Sequence, residues 1–425
     1  MNGSTIAKAA DPGGRQRVAY MVSRFPKLTE TFVLYEMLEL QRNGIAVDVY
    51  PLIRSREPCR HAAADAFLDG AFCPPTLAAQ SAVDTLYWLR RAPRRLLRMW
   101  CDVLAGNAGH PKFLSRALAI LPRASRISRR MLAVGTAHVH AHWATHPALA
   151  AYCVHRLTGI PYSFTIHAHD LFVARPMLPA KIHRAAFVVT ISDYNRRFIE
   201  QCYGPATAGC VRVLHCGVDT TRFRPAGAGA LAQPPRVLCV AGLEEKKGHR
   251  YLLDACARLQ RAGVPFVCDC AGGGKLLGRL RGQAADRGLA DRVRFLGPQP
   301  QERMIELLRR ADLVVQPSIR LRTGKMEGIP VALMEAMAMA LPVVATDLSG
   351  VPELVEHGVN GLLVPPGDAA ALAAAMRRIL EDPKRGAAFG RAGRQKVARD
   401  FDLRKNAARL RSLITGVGLP GGACT

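Results

Sequence analysis

Short apolar strands alternate with amphipathic helices along this chain, and they do so in two successive series. In the first, residues 18–22 read as a strand, a helix follows over about 30–43, and a second strand covers 45–50. Val33, Leu34, Met37, Leu38 and Leu40 make one face of that helix, and Gly44 ends it. Strand–helix–strand order calls for a parallel sheet, because parallel neighbours need a crossover. The rhythm breaks between about 51 and 131. It returns with a strand at 138–142, a helix near 147–157, and strands at 162–166, 187–191 and 211–214. The second series predicts strands at 237–240, 266–270, 293–296, 313–315, 343–346 and 362–364. Its helices fall near 249–262, 276–287, 302–310, 331–339, 369–381 and 403–414. Between the series, Pro and Gly breaks near 222–235 carry little periodicity and read as a linker.

The expected fold is α/β, with two Rossmann-like doubly wound domains facing a central cleft. The first domain covers 1–222, with a basic helical insertion at about 51–131. The linker is 223–235, the second domain 236–402, and 403–425 a helix and tail placed to pack back on the first domain. A length of 425 residues suits two or three domains. In such sheets a ligand binds outside the carboxyl ends of the strands.

The segment Glu327-Gly328-Ile329-Pro330-Val331-Ala332-Leu333-Met334-Glu335 is the most specific chemical signal. Gly328 lets a backbone approach a ligand, and Pro330 suits the first position of a helix. The free amides at that helix start, those of Gly328, Ile329 and Val331 around Pro330, can hold a diphosphate. Glu327 and Glu335 can then accept hydrogen bonds from hydroxyls on either side of it. That order of groups fits a nucleotide-sugar. Two glycine loops follow strands in the same half. Lys247 in the loop 242–248 can meet a diphosphate as a point charge. Gly273, within Gly272-Gly273-Gly274, permits close approach to a nucleotide, although a tight turn explains such a run equally well.

In the first half His138, His140 and His142 alternate, so a strand points all three the same way. His167-Ala168-His169-Asp170 lies past another strand end, and His167 is the residue expected to face the crevice. A metallohydrolase is the competing reading. Asp170 directly follows His169, so the His-x-His-x-Asp-His pattern of one such class is not met, and no metal or other cofactor is expected.

The chain carries 59 Lys and Arg against 33 Asp and Glu, a net charge of +26. Such a field draws polyanions. Over 86–130 eleven basic residues interleave with Trp88, Leu89, Leu96, Leu97 and Trp100. This stretch fits an anionic bilayer surface, or a solvated helical face whose tryptophans dock on the domain. No nucleic-acid module is visible. The 12 cysteines show no metal-binding spacing and read as reduced, mostly buried thiols. The polar start of the chain and the absence of a long apolar run predict a cytoplasmic protein, peripheral on the inner face of the membrane.

Over 317–368 the chain resembles the retaining glycosyltransferases of family four, which have the GT-B fold. The motifs are the two glutamates eight positions apart, Glu335-Ala336-Met337-Ala338, Pro342-Val343-Val344-Ala345-Thr346, and Asn360 through Asp368. Ser23-Arg24-Phe25-Pro26-Lys27-Leu28-Thr29-Glu30-Thr31-Phe32 is similar to the subgroup of exopolysaccharide, colanic-acid type assembly. So are Phe164 through Asp170 and His215-Cys216-Gly217-Val218-Asp219. The resemblance implies that the first domain binds the acceptor and the second the donor. It implies that Glu327 contacts the transferred sugar, Glu335 the ribose hydroxyls, Lys247 the leaving diphosphate, and His167 the acceptor side. The partners it implies are a nucleotide-diphosphate sugar and a lipid-linked or other glycan. Family members commonly have an arginine where Gly242 stands; Lys246 and Lys325 are the residues placed to replace it. A nucleotide-sugar epimerase of similar fold and a non-catalytic nucleotide-sugar-binding protein are the alternatives.

Overall fold

A computed structural model describes residues 15–27, 30–55, 61–75, 78–225 and 232–416. The chain divides into two compact units. The first comprises Met1–Ile191, Arg196–Leu214 and Ala407–Thr425; the second comprises Ser192–Asn195 and His215–Asn406.

The first unit is built on β1 (Arg17–Phe25), α1 (Thr31–Arg42) and β2 (Ala46–Arg54). A short α2 (Asp65–Leu68) leads to the helical insertion: α3 (Ala79–Arg91), α4 (Pro93–Asn107) and α5 (Pro111–Ala133). Next come β3 (His138–His142), α6 (His146–Thr158), β4 (Tyr162–Ile166), α7 (His169–Phe172) and α8 (Leu178–Arg184). β5 (Phe187–Thr190), α9 (Asp193–Gly209, kinked at Gly204) and β6 (Val211–Val213) close this run. All six strands are parallel, in the order β2-β1-β3-β4-β5-β6. Strand order reverses between β1 and β3, which is the switch point where such sheets open a crevice.

The second unit runs β7 (Arg236–Val240), α10 (His249–Arg261), β8 (Val267–Ala271), α11 (Leu277–Asp286), β9 (Val293–Gly297), α12 (Gln301–Arg309) and β10 (Leu313–Gln316). It continues with α13 (Val331–Ala338), β11 (Val343–Thr346), α14 (Val351–Leu354), β12 (Leu362–Val364), α15 (Ala369–Leu380) and α16 (Pro383–Asp400). The last helix, α17 (Leu403–Gly416), belongs mainly to the first unit. The sheet is again all parallel, ordered β12-β11-β10-β7-β8-β9, with its switch point between β7 and β10.

Period-two alternation divides each strand between two cores. In β7, Val237 and Cys239 join the layer of α10, α11 and α15, whereas Leu238 joins that of α12, α13 and α16. In β1, Val18, Tyr20 and Val22 pack with α1 residues Val33, Leu34, Met37 and Leu40, and with Leu410 and Ile414 of α17. Two features depart from the expected order of elements. α16 is an 18-residue helix where none is expected, and α9 fills the gap between β5 and β6. Of the described cysteines, Cys153, Cys239, Cys256, Cys268 and Cys270 are buried free thiols, and Cys73, Cys101 and Cys202 are free as well.

Candidate functional site

The loops after β7 and β10 flank the switch point of the second unit, and the structure ties them together there. The Ile319 amide donates to the Lys246 carbonyl at 2.8 Å. Lys247 Nζ meets Glu327 Oε2 at 2.6 Å, and Lys246 Nζ is paired with Glu327 Oε1. All three side chains are mostly covered, Glu327 being only 12% exposed. Burial alone would raise the Glu327 carboxyl, but Lys247 and then Lys246 outweigh it and pull it down to about 2. The result is a fixed carboxylate between two cations, with one positive charge in surplus. Lys325, by contrast, reaches Glu244 at 3.2 Å on the surface.

Backbone geometry accounts for the glycines that hold these loops. Gly248 has φ +70, and a Cβ there would lie 1.8 Å from the Pro317 carbonyl oxygen, so the β7 loop can pass the β10 loop only without a side chain. A Cβ on Gly273 would fall 2.8 Å from the Pro298 ring, and its carbonyl accepts from the Leu243 amide at 2.8 Å. Gly273 is thus explained by a tight turn that supports the lysine loop. Gly242 differs: a Cβ would meet nothing closer than 3.6 Å, so packing does not require glycine there.

α13 starts at Val331, where the predicted helix begins, so Pro330 is its N-cap and not its first helical residue. Pro330 has an extended backbone (ψ 126) and offers no side-chain cap. The amides of Val331 and Ala332 have no acceptor among the described residues, as the first turn of a helix dictates. Gly328 is buried, and the Ile329 side chain is packed in the core with Leu333, so at these two positions a ligand could be met only by backbone. One turn on, Glu335 is half-buried and accepts no hydrogen bond from the described side chains. Desolvation pushes its carboxyl up to about 8, with Arg222 pulling the other way.

In the first unit the histidines of β3 do point to one face, and all three are buried. His138 Nε2 and His140 Nδ1 share the Ser163 hydroxyl at 2.7 and 2.8 Å, and His140 Nε2 meets Thr165 Oγ1 at 3.0 Å. His142 bridges Glu36 Oε1 (3.0 Å) and His167 Nε2 (3.1 Å). Burial holds His140 and His167 well below the usual imidazole range, and His138 at about 3. Glu36, His140 and His142 bring three ligand-type atoms within 4.8 Å, the one such group among the described residues. Each ring nitrogen of His140 and His142 already has a hydrogen-bond partner, which accounts for their orientation.

His167 lies just past β4, buried against Phe32, Trp143 and His142. Asp170 proves to be a loop brace. Its carboxylate accepts from the amides of Ala144 (2.6 Å) and His167 (3.1 Å), joining the ends of β3 and β4. Lys181, also buried, donates to the Ala144 carbonyl. Trp143 sits beside this brace with φ +74, a conformation a bulky residue holds only when its surroundings impose it. Sequence reasoning missed Glu36, Tyr20 and Trp143. Glu36 was detectable, since it stands at helical spacing from Val33 and Leu40, an acid on an apolar stripe.

Residues 29–222 match the family model Glycosyltransferase Family 4, and 225–396 match Glycosyl transferases group 1. The chain is 32% identical over 418 residues to the colanic acid biosynthesis glycosyltransferase WcaL of Salmonella typhimurium, covering 94% of this chain and 99% of that protein. It is 42% identical over 192 residues to the amylovoran biosynthesis glycosyltransferase AmsK of Erwinia amylovora, an alignment spanning about half of each chain (45% and 47%). Among solved structures, a glycosyltransferase from Rickettsia africae superposes with a TM-score of 0.72 at 16% identity, covering 96% of this chain and 100% of its own. Anabaena HepE, solved in complex with UDP, gives 0.69 at 17%, covering 94% and 100%. These two likenesses concern the fold. The chain belongs to the family four glycosyltransferases, with the paired Rossmann-like domains of the GT-B fold, and is a glycosyltransferase of the exopolysaccharide-biosynthesis type.

Proposed function

We propose that this enzyme takes a sugar from a nucleotide-diphosphate donor held in the second unit. It passes that sugar, with retention, to a hydroxyl of a lipid-linked glycan during exopolysaccharide assembly. The observation that carries this reading is the Lys246–Glu327–Lys247 cluster at the β7/β10 switch point. Its Glu327 stands in the chain segment just before the open amides of α13, and Glu335, with no hydrogen-bond partner among the described residues, lies one turn beyond. In the reaction the bond from the anomeric carbon to the diphosphate oxygen breaks and one to the acceptor oxygen forms. The acceptor's proton leaves with the diphosphate or to solvent. Lysines and amides, fixed in place beforehand, stabilise the departing oxygens, and charge fixed in this way usually lowers such barriers more than any other effect. That charge is supplied by protein groups, so the reaction is expected to run without metal. Lys246 provides the second cation that Gly242 does not. Glu327 meets the sugar, Glu335 the ribose diol, and His167 the acceptor side.

The helical insertion supports an anionic membrane surface as a further partner. Arg90, Arg91, Arg94 and Arg98 are exposed, together with Leu86, Leu89 and Leu97. The tryptophans do not share that surface: Trp88 is buried, its Nε1 donating to the Ser125 carbonyl at 3.0 Å, and Trp100 is half-buried. Arg129, itself exposed, pairs with the buried Asp84 at 2.5 Å and stacks on Tyr87. No described helix is long and apolar enough to cross a membrane.

A panel of nucleotide-sugars assayed for thermal stabilisation identifies the donor, since a ligand of the folded state raises its melting point. With that donor and a lipid-linked acceptor, turnover should persist in chelator and should fall by at least about 100-fold in Glu327→Ala, a loss of about 2.7 kcal/mol. Undiminished turnover in that variant, or conversion of donor with no acceptor present, would overturn the reading.

A further inference from the structure

A second line of hydrogen bonds crosses the switch point of the first unit. Glu36 projects from α1, which follows β1, and His142 ends β3. Tyr20 Oη donates to Glu36 Oε1 at 2.7 Å, His142 Nε2 lies 3.0 Å from the same oxygen, and His142 Nδ1 lies 3.1 Å from His167 Nε2. Tyr20 and His142 are stacked, and the His142 ring is 1% exposed, so this line is fixed by packing.

Chemistry gives the line a direction. An ionised carboxylate can only accept. The hydrogen between Glu36 and His142 therefore sits on His142 Nε2. A neutral imidazole with its hydrogen on Nε2 has its lone pair on Nδ1. The hydrogen between the two rings must then belong to His167 Nε2, which makes Nδ1 the accepting nitrogen of His167.

We infer that Glu36 is a positioning residue that sets, through His142, which nitrogen of His167 carries hydrogen. His167 is thereby held with an accepting nitrogen, the form that takes a hydrogen bond from a hydroxyl and cannot give one to a carbonyl. Its use on a sugar or acceptor hydroxyl rests on the function proposed above; the placement of the hydrogens does not. The tyrosine supports this arrangement, since burial and then Glu36 keep its phenol protonated and donating.

The test uses the full chain with ¹⁵N-labelled histidine and long-range ¹H–¹⁵N correlation at neutral pH. His142→Gln and His167→Gln variants assign the signals. Both rings should show the Nε2–H tautomer. An Nδ1–H tautomer at His167, a doubly protonated His142, or a stoichiometric metal whose removal shifts the His142 signals would each overturn the inference. In Glu36→Gln the neutral amide can present either its oxygen or its NH₂. The tautomers of both rings should then become mixed, and kcat should fall about 10- to 100-fold with donor KM within about twofold. Unchanged tautomers and unchanged kcat in that variant also overturn it. Should His167→Gln turn over normally while the wild-type tautomers are as expected, the role of His167 in catalysis fails and the hydrogen placement stands.

Discussion

Two acids eight positions apart have opposite electrostatics, and each follows from its neighbours. Glu327 is held ionised by Lys247 and Lys246, at about 2. Among the described residues Glu335 has no such partner, and desolvation moves it from 4.5 to about 8. Between those two values the folded chain holds a proton that the unfolded chain has lost. The stability this gives is full below about pH 4.5 and is lost as pH rises to about 8. Glu335→Gln should therefore melt like the wild type at pH 4.5 and above it at pH 8.5, by the equivalent of about 1–3 kcal/mol, because solvent reaches part of the site. Calorimetry at the two values checks this; equal melting at pH 8.5 would show that the carboxyl is solvated. The same variant should bind donor more weakly, because an amide replaces an acceptor-only group. Both acids were legible in the sequence as a motif. Their different charge states were not, because those depend on lysines eighty residues away in sequence.

Among the elements, α13 carries the proposed diphosphate site and α16 packs behind it. Val331 is the first residue of α13, and the residue before it is already extended, with φ −67 and ψ 126. A proline at 331 fits that backbone and deletes one amide hydrogen. Val331→Pro should keep its melting temperature within a few degrees while donor affinity, read by isothermal titration, falls about 5- to 20-fold. Unaltered affinity would mean that this amide holds no phosphate. α16 packs against α13 and the turn after it so closely that a Cβ on Gly390 would lie 1.9 Å from the Ala340 carbonyl oxygen, and one on Gly393 would lie 3.1 Å from Met337 Cε. Gly390→Ala should cost about 2–4 kcal/mol in denaturant unfolding. The same glycines explain why α16 escaped sequence reasoning. Gly386, Gly390 and Gly393 read as breakers, yet their spacing of four and three puts them on one helix face, where Gly393 meets α13, Gly390 the turn after it, and Gly386 Pro342 and Ile379. Asp382, whose side chain accepts from the Arg385 amide, followed by Pro383 at the helix start, was the signal available. The strands were easier, because both sheets are buried on two faces and read as plain apolar runs.

At the scale of the whole molecule, the two sheets were legible as two series, and the charge excess of +26 as a preference for anions. Where that charge acts was not legible, because several of the insertion's arginines turn out to be packing groups. Arg123 is buried against the Leu52 carbonyl, and Arg126 and Arg130 lie over the Phe72 ring. The outward ones are those that the proposed membrane surface would meet. Reversing Arg90, Arg91, Arg94 and Arg98 to Glu should abolish co-sedimentation with vesicles containing phosphatidylserine and leave the melting temperature nearly unchanged. Retained sedimentation would exclude α3 and α4 as the binding face. Leu410 and Ile414 seal the layer built by β1, α1 and β2, yet they are made after all of the second unit. At ribosomal speed of about 5–20 residues per second, some tens of seconds separate the emergence of Tyr20 from that of Leu410. During synthesis the earlier half must wait, its oily seat uncovered, until the later half has already been made.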